Sequence, residues 1–360
     1  MRFTLLVFVF TVGLAAQVPP DTVNTIFPPG QRLESENFTG PVWVERILIV
    51  EDEEQSVPVG NVTFPPKSRS NWHYHPAGQS LLVLDGVGYY QQRGEAVRVL
   101  RKGQTVQCPP DVEHWHGAAN DSWFVQLAMT MEHPDGRVIW GEAVTDAEYH
   151  AGIPVQRQVD SLASRYRHIA RVAALTALGH LERLQPALAD ALDAGLTVNE
   201  LKEVLVHLYA YAGFPRSIQG LRVLMTVLEG RSAKGSTDEL DGDAGAVTSP
   251  PALSKGEGAR YDRGLKTLEA LTGRPWTEPS DYGTFAPRID TFLKEHLFAD
   301  VFGDTTLSYA DREVVTVAVL QALGQGVEPM LEGHSSIALR QGVTVEQLSL
   351  INRTVQSCLH

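Results

Sequence analysis

The sequence predicts a multidomain α and β chain: an N-terminal antiparallel β-barrel of the jelly-roll type, followed by an all-α domain built as a tandem helical repeat. Three observations predict it. Runs of alternating strand-forming residues, separated by Gly, Pro and Asn/Asp, recur at short intervals to about Val144. From about Asp160 the apolar residues recur instead at i, i+3, i+4 and i+7, the helical period. The segment LSYADREVVTVAVLQALGQGVEPMLEGHSSIALRQGVTVEQLSLI echoes SRYRHIARVAALTALGHLERLQPALADALDAGLTVNELKEVL, with Leu-Gly at Leu178 and Leu323 and Gly-(Leu/Val)-Thr-Val at Gly195 and Gly342. With 360 residues and 43% hydrophobic content, each part can bury a core of its own.

The chain opens MRFTLLVFVFTVGLAAQ, with one early arginine, an apolar run from Phe3 to Leu14 and small residues at a plausible cleavage point. This reads as a secretory signal over residues 1–16, hence an exported protein, periplasmic or secreted. The apolar run is too short to span a bilayer, and no later segment is long and apolar enough. Residues 17–35, polar and proline-rich, read as an exposed leader. The runs VWVERILIV, VGNVTF, SLLVLDGVGYY, AVRVLRKGQTVQC, WFVQLAM and VIWGEAV fill a barrel over residues 36–150. LASRYRHIARVAALTALG, LERLQPALADALDAG, TVNELKEVLVHLYAYAG and SIQGLRVLMTVLEG form the first helical repeat, residues 160–231, with Gly179, Gly195 and Gly213 as C-caps. A Gly/Ser/Asp-rich linker over 232–258 leads to the second repeat, 259–357, which starts with YDRGLKTLEALTG and IDTFLKEHLFADVFG.

The net charge of −13, with no Lys/Arg cluster, argues against nucleic acid and anionic membranes as partners and leaves a small molecule. Helical hairpins of this amphipathic kind leave apolar faces for a neighbouring subunit, so a homo-oligomer is expected. The two cysteines, Cys108 and Cys358, make no disulfide framework, and their spacing does not force them to pair.

The chemistry concentrates in two short stretches, NWHYHPAGQ from Asn71 to Gln79 and PPDVEHWHG from Pro109 to Gly117. Residues i and i+2 of a strand share a face, so His73 and His75 can aim at one point, and His114 can join them from a neighbouring strand. Three imidazoles converging in a small barrel suit a divalent metal, and Gln79, four residues beyond His75, is the candidate fourth ligand. A neutral amide in that place leaves the cation its full charge, so the centre should be a stronger Lewis acid and a weaker binder than one with a carboxylate. His116 shares the inward face with His114 and is either a general base, a core histidine hydrogen-bonded to backbone, or a histidine that orients a ligand.

The blocks His73 to Gly86 and Gly103 to Asn120 resemble the two cupin motifs, G(x)5HxH(x)3-4E(x)6G and G(x)5PxGxxH(x)3N. Gly86, Pro109 and His114 match; Gln79 stands where the family has Glu, and Asp111 where it has the glycine of the PxG turn. NWHYHPAGQ and EHWHGA are most similar to small cupins related to bacterial hydroxynitrile lyases. That resemblance implies a manganese-type centre, with iron or zinc as the other occupants, that polarises a cyanohydrin oxygen. It also implies a histidine where this chain has Gln126, which can contact substrate by hydrogen bonds but cannot take a proton.

From about Asp160 onward the chain resembles the carboxymuconolactone decarboxylase family, which shares its fold with AhpD-like alkylhydroperoxidases, most specifically in LTVNELKEVLVHLYAYAGFPRS. The peroxidases' Cys-x-x-Cys pair falls on Ala212 and Pro215, and a following histidine on Gln219, so dithiol peroxide chemistry is excluded. Glu203, His207 and Tyr211 remain four residues apart on one helix face, with Glu200 upstream. This is a proton-relay stripe or, more simply, a solvated or subunit-facing one; His334 shares the ambiguity. The function these features predict is an exported metal-dependent lyase or decarboxylase-like enzyme acting on a small hydroxy or carboxylic compound. The alternatives are a non-catalytic ligand-binding cupin with an oligomerising helical domain, and an Fe-dependent oxygenase.

Overall fold

A computed structural model describes residues 26–48, 57–234, 259–278 and 280–360. The expected signal, residues 17–25 of the expected leader and most of the expected linker lie outside the described residues. The chain divides into two units, Met1–Val159 and Asp160–His360.

Twelve strands build the first unit: β1 Gln31–Leu33, β2 Phe38–Thr39, β3 Val42–Leu48, β4 Val59–Phe64, β5 Arg69–Ser70, β6 His73–Tyr74, β7 Gln79–Gln92, β8 Arg98–Arg101, β9 Thr105–Cys108, β10 His114–Ala118, β11 Phe124–Thr130 and β12 Ile139–Trp140. All their pairings are antiparallel, and β1, which falls within the expected leader, is an exposed edge strand on β3. The 14-residue β7 belongs to both sheets of the curled barrel. Its first half lies between β11 and β9, and its second half between β10 and β8. Gly86 sits at the change-over with φ +77°, where a Cβ would come within 1.8 Å of the Trp123 carbonyl oxygen; only glycine takes that turn without strain. The run AVRVLRKGQTVQC is two strands rather than one, broken at Gly103 (φ +86°). Asp111, in place of the motif's glycine, adopts φ +58°, the left-handed conformation a glycine would supply and one that Asp tolerates.

Between the sheets, Phe64, Leu81, Leu100, Val106 and Phe124 are buried, while Trp72, Tyr89, Trp115 and Tyr149 form a second cluster. Helix α1, Asp146–His150, starts on a Thr145–Glu148 capping box and seats Tyr149 in that second cluster, its hydroxyl donating to the Ala118 carbonyl. Arg69, almost wholly buried, holds this segment by donating to the Val144 carbonyl and pairing with Asp146.

In the second unit the repeat is visible helix by helix. Helix α2, Gly152–Leu178, begins within the first unit and continues into the second, where α3 (Leu181–Asp193) and α4 (Val198–His207) follow it. Later α10 (Tyr309–Leu323), α11 (Glu328–Arg340) and α12 (Val345–Leu359) repeat the pattern. The copies share their punctuation: Gly195 and Gly342 have φ +93° and +92°, and Thr197 and Thr344 each close a capping box, on Glu200 and Gln347. Their apolar faces meet in one core containing Ile169, Leu188, Leu205, Val315, Val319 and Ile351. Arg165 of α2 ties the copies together by bridging Glu200 of α4 (2.7 Å) and Asp311 of α10 (2.8 Å).

The run TVNELKEVLVHLYAYAG is interrupted: α4 ends at His207, and a single turn, α5 (Tyr209–Ala212), precedes Gly213 at φ +83° and α6 (Phe214–Ser232). Between the copies lie α7 (Ala259–Thr272), α8 (Asp281–Phe285) and α9 (Pro287–Thr291). The predicted helix IDTFLKEHLFADVFG is chiefly a π-helix, Phe292–Val301, whose end is marked by the Phe302 N–H bonding to the Leu297 carbonyl five residues back. It packs backbone to backbone on α7 at Gly264, where a Cβ would lie 1.7 Å from the Lys294 carbonyl oxygen. Cys108 and Cys358 are both buried and free. No helix among the described residues is long and apolar enough to cross a membrane.

Candidate metal centre

Register brings the two histidine stretches together. On β10, His114 lies opposite His73 of β6 on one side and Gln92 of β7 on the other, and His116, two residues on, lies opposite Tyr90. His75 follows directly after β6, and Gln79 is the first residue of β7. Ring centroids of His73 stand 4.4 Å from His114, 5.2 Å from His75 and 5.2 Å from His116. All four rings and Gln79 are buried, at 0–8% exposure, so each polar atom there needs a partner.

Two candidate ligand sets emerge, and proton placement decides between them. By proximity alone the tightest cluster is His73, His114 and His116, with one ring nitrogen of each within 4.8 Å of the others. However, Nδ1 of His73, His75 and His114 faces a backbone carbonyl, of Asn71 (2.9 Å), Arg137 (2.5 Å) and Val112 (3.0 Å) respectively. A carbonyl only accepts, so Nδ1 carries the proton in these three and Nε2 presents its lone pair. His116 is wired the other way. Its Nδ1 accepts from the Gln126 amide (2.8 Å), which with this amide orientation puts the neutral ring's proton on Nε2 and removes it as a ligand.

Nε2 of His75 and of His114 are buried without a hydrogen-bond partner. Gln79 behaves alike: its Nε2 donates to Thr130 Oγ1 (2.9 Å), and its Oε1 is buried with no hydrogen-bond partner. Orphaned lone pairs of this kind are costly unless something electropositive meets them. His73, His75, Gln79 and His114 therefore fit a divalent cation by donor chemistry, with carbonyls orienting three of the rings from behind. Burial is the first cause pushing each imidazole below its ordinary range, His114 to about 4; neighbouring histidines add to it at His73 and His114, whereas at His75 the Arg137 carbonyl opposes it, and the rings are neutral at neutral pH. His116 is also held well down by burial, then by His114 and His75, and Phe64 stands edge-on to its ring at 5.8 Å.

Gln126, expected to contact substrate, donates one amide N–H to His116, and its Oε1 is a buried acceptor without a partner. This link crosses from β11 to β10, which are not neighbours in the sheet, so no sequence spacing could announce it. A cavity of about 290 Å³ opens beside His75, walled by Val44, Val59, Ala128 and Val138, with Arg46 and Arg137 also lining it.

In the helical unit, Glu203 and His207 do not form a solvated stripe. His207 is fully buried at the end of α4, its Nε2 3.0 Å from Thr316 Oγ1 and its Nδ1 3.3 Å from the Arg312 guanidinium. Glu203 pairs with the same arginine at 2.9 Å; burial raises its carboxyl and Arg312 pulls it back. Tyr211 lies one turn on, in α5, its ring 5.6 Å from His207 and its hydroxyl shut off from solvent. The helix face was legible in the sequence; its burial was not, because Arg312 comes from the other repeat, 109 residues away.

A cupin-domain family model matches residues 60–128, and a model described as the carboxymuconolactone decarboxylase family matches residues 149–225 and 287–357. The chain is 40% identical over 113 residues to an (R)-mandelonitrile lyase of Granulicella tundricola, a match covering 31% of this chain and 85% of that protein. Among solved structures it is similar to a cupin-like protein of Thermotoga maritima, at 41% identity and TM-score 0.34 over 35% of this chain and 96% of that one. It is also similar to a DMSP lyase of Ruegeria pomeroyi, at 21% identity and TM-score 0.23, over 25% and 46% of the two chains. By these matches the chain belongs to the cupin family through its N-terminal unit and carries a carboxymuconolactone decarboxylase domain in its C-terminal half.

Proposed function

We propose that this is an exported, metal-dependent cupin lyase acting on a small hydroxy or carboxylic compound, with manganese as the cation and His73, His75, Gln79 and His114 as its ligands. The observation that carries the reading is the set of orphaned, buried donor atoms on His75, Gln79 and His114 beside His73. The similarity to a protein named as an (R)-mandelonitrile lyase supports carbon–carbon lyase chemistry and makes an aromatic cyanohydrin the first compound to try. A cation held there would supply Lewis acidity toward a substrate oxygen.

The remaining work falls to the chain's own residues. His116 is the proton carrier. With the Gln126 amide donating to Nδ1, the neutral His116 ring holds its one proton on Nε2. With that amide turned end for end, Oε1 would accept from Nδ1–H, Nε2 would take the proton of the substrate hydroxyl, and the imidazolium so formed would return that proton to the leaving group. Aliphatic walls with Arg46 and Arg137 between them line the cavity beside His75, and its size, about 290 Å³, matches a small compound that carries a polar group.

Elemental mass spectrometry of the mature protein tests the reading, wild type against the His73→Ala/His114→Ala variant. Near-stoichiometric manganese, lost in the variant, together with benzaldehyde release from (R)-mandelonitrile that His116→Ala abolishes, is the expected result. A folded wild-type protein that stays metal-free after reconstitution would sink it.

A further inference from the structure

The helical unit contains a second cavity, of about 700 Å³, lined at one side by Tyr211 and His334. Behind His334 stands Glu313 of α10, 0% exposed, whose Oε2 is 2.8 Å from His334 Nδ1. The carboxylate accepts, so His334 Nδ1 donates, and Nε2 is left as a lone pair. The other oxygen, Oε1, is buried with no hydrogen-bond partner. Tyr211 meets the His334 ring edge to face at 5.7 Å, its hydroxyl buried beside Thr316. Burial, then the Glu313 charge, raises the Tyr211 phenol, so it remains a proton donor.

A base, a carboxylate that fixes its tautomer and a phenol donor thus meet at one cavity wall, the arrangement needed to move a proton next to a carbonyl. Elsewhere the cavity offers Trp276 and Phe298 as apolar surface, and Arg274 and Arg340 as cations. Arg340 lies against Gly273, next in the chain to Arg274, and neither guanidinium has an acidic partner among the described residues. Lys294, which also lines the cavity, is neutralised by Asp290.

We propose that this cavity is a second active site, independent of the cupin centre, that enolises a small 2-oxo acid with an apolar body. The carboxylate sits on Arg274 and Arg340, and the apolar body on Trp276 and Phe298. His334 Nε2 takes the proton from the carbon beside the ketone. The C–H electron pair becomes the enol double bond, and Tyr211 hydrogen-bonds the oxygen that gains charge. Return of a proton to that carbon restores the ketone, so nothing is oxidised or reduced. Glu313 is a positioning residue that acts through His334.

The test is proton–deuterium exchange at C3 of phenylpyruvate in D2O, followed by NMR with the full-length protein and corrected for the uncatalysed rate. The wild type accelerates exchange, and the rate survives removal of metal by chelator. His334→Gln lowers kcat by at least about 100-fold, the usual scale for losing a general base. Arg340→Met raises KM with kcat kept. Glu313→Gln lowers kcat with KM kept, and Glu313→Asp restores part of it; a purely structural role would lower the folded fraction and leave kcat per folded enzyme in place. No acceleration by the wild type, acceleration that survives His334→Gln, or acceleration abolished by the chelator each overturns the proposal. Only the last would point back to the cupin centre.

Discussion

Replacing Arg312 by Met should be among the most damaging single changes in the helical unit. The guanidinium is fully buried and pairs with Glu203 (2.9 Å) and Asp304 (3.2 Å), donates to the Asp304 carbonyl (2.8 Å) and meets His207 Nδ1 at 3.3 Å. Methionine fills much of the volume but satisfies none of these partners. Asp304 is 29% exposed at its side chain and recovers water, whereas Glu203, at 17%, keeps a carboxylate in a site whose burial already raises its pKa. Removing one partner of a buried ion pair costs about 3–5 kcal/mol, and the partial exposure of both acids places this case near about 3 kcal/mol. The sign with pH follows. Without Arg312 the folded Glu203 pKa rises further above its ordinary value, so its protonated form is tolerated below that value, and stability is lost as pH rises through the folded pKa. Denaturant unfolding of the helical transition should therefore show a deficit that shrinks between pH 8 and pH 5. A loss under about 1 kcal/mol, or one independent of pH, would refute the account of Arg312 as the partner that lets Glu203 stay ionised.

The acid response of the chelator-treated cupin unit follows from His114, held at about 4 against an ordinary 6.5. The unfolded chain binds the extra proton, so thermal stability should be level above pH 6.5 and fall by at least about 3 kcal/mol as pH drops to 4, with the lowered His73, His75 and His116 adding in the same direction; a flat profile across that window contradicts the buried, neutral ring. Gln79→Glu should tighten manganese binding, on the order of tenfold, while lowering the lyase rate, because a carboxylate offsets part of the cation's charge; competitive titration with a chromophoric chelator measures the first effect, and weaker binding would argue against Gln79 as a ligand. Gly264→Ala should destabilise the helical unit by roughly 2 kcal/mol or more, since the new Cβ would lie 1.7 Å from the Lys294 carbonyl oxygen. Calorimetry reads this directly, and an unchanged Tm would mean that α7 and the π-helix are not in backbone contact.

The sequence by itself determined the strand alternation, the helical period and the repeat, because residue spacing sets which side chains share a face. It also singled out His73, His75, Gln79, His114 and His116, since two local stretches carry them all. Gly86 and Asp111 announced their turns through the conformations only a few residue types accept. Only the tertiary structure decided what lies across space. It separated His116 from the other histidines by placing Gln126 against Nδ1, a contact between strands that do not adjoin. It buried Glu203 and His207 under an arginine from the second repeat, and it joined Tyr211 to His334 and Glu313 at one cavity. The physical reason is the same in each case. Periodicity reports which face of an element a residue occupies, whereas its partner, and hence its tautomer and charge, depends on which element packs against that face.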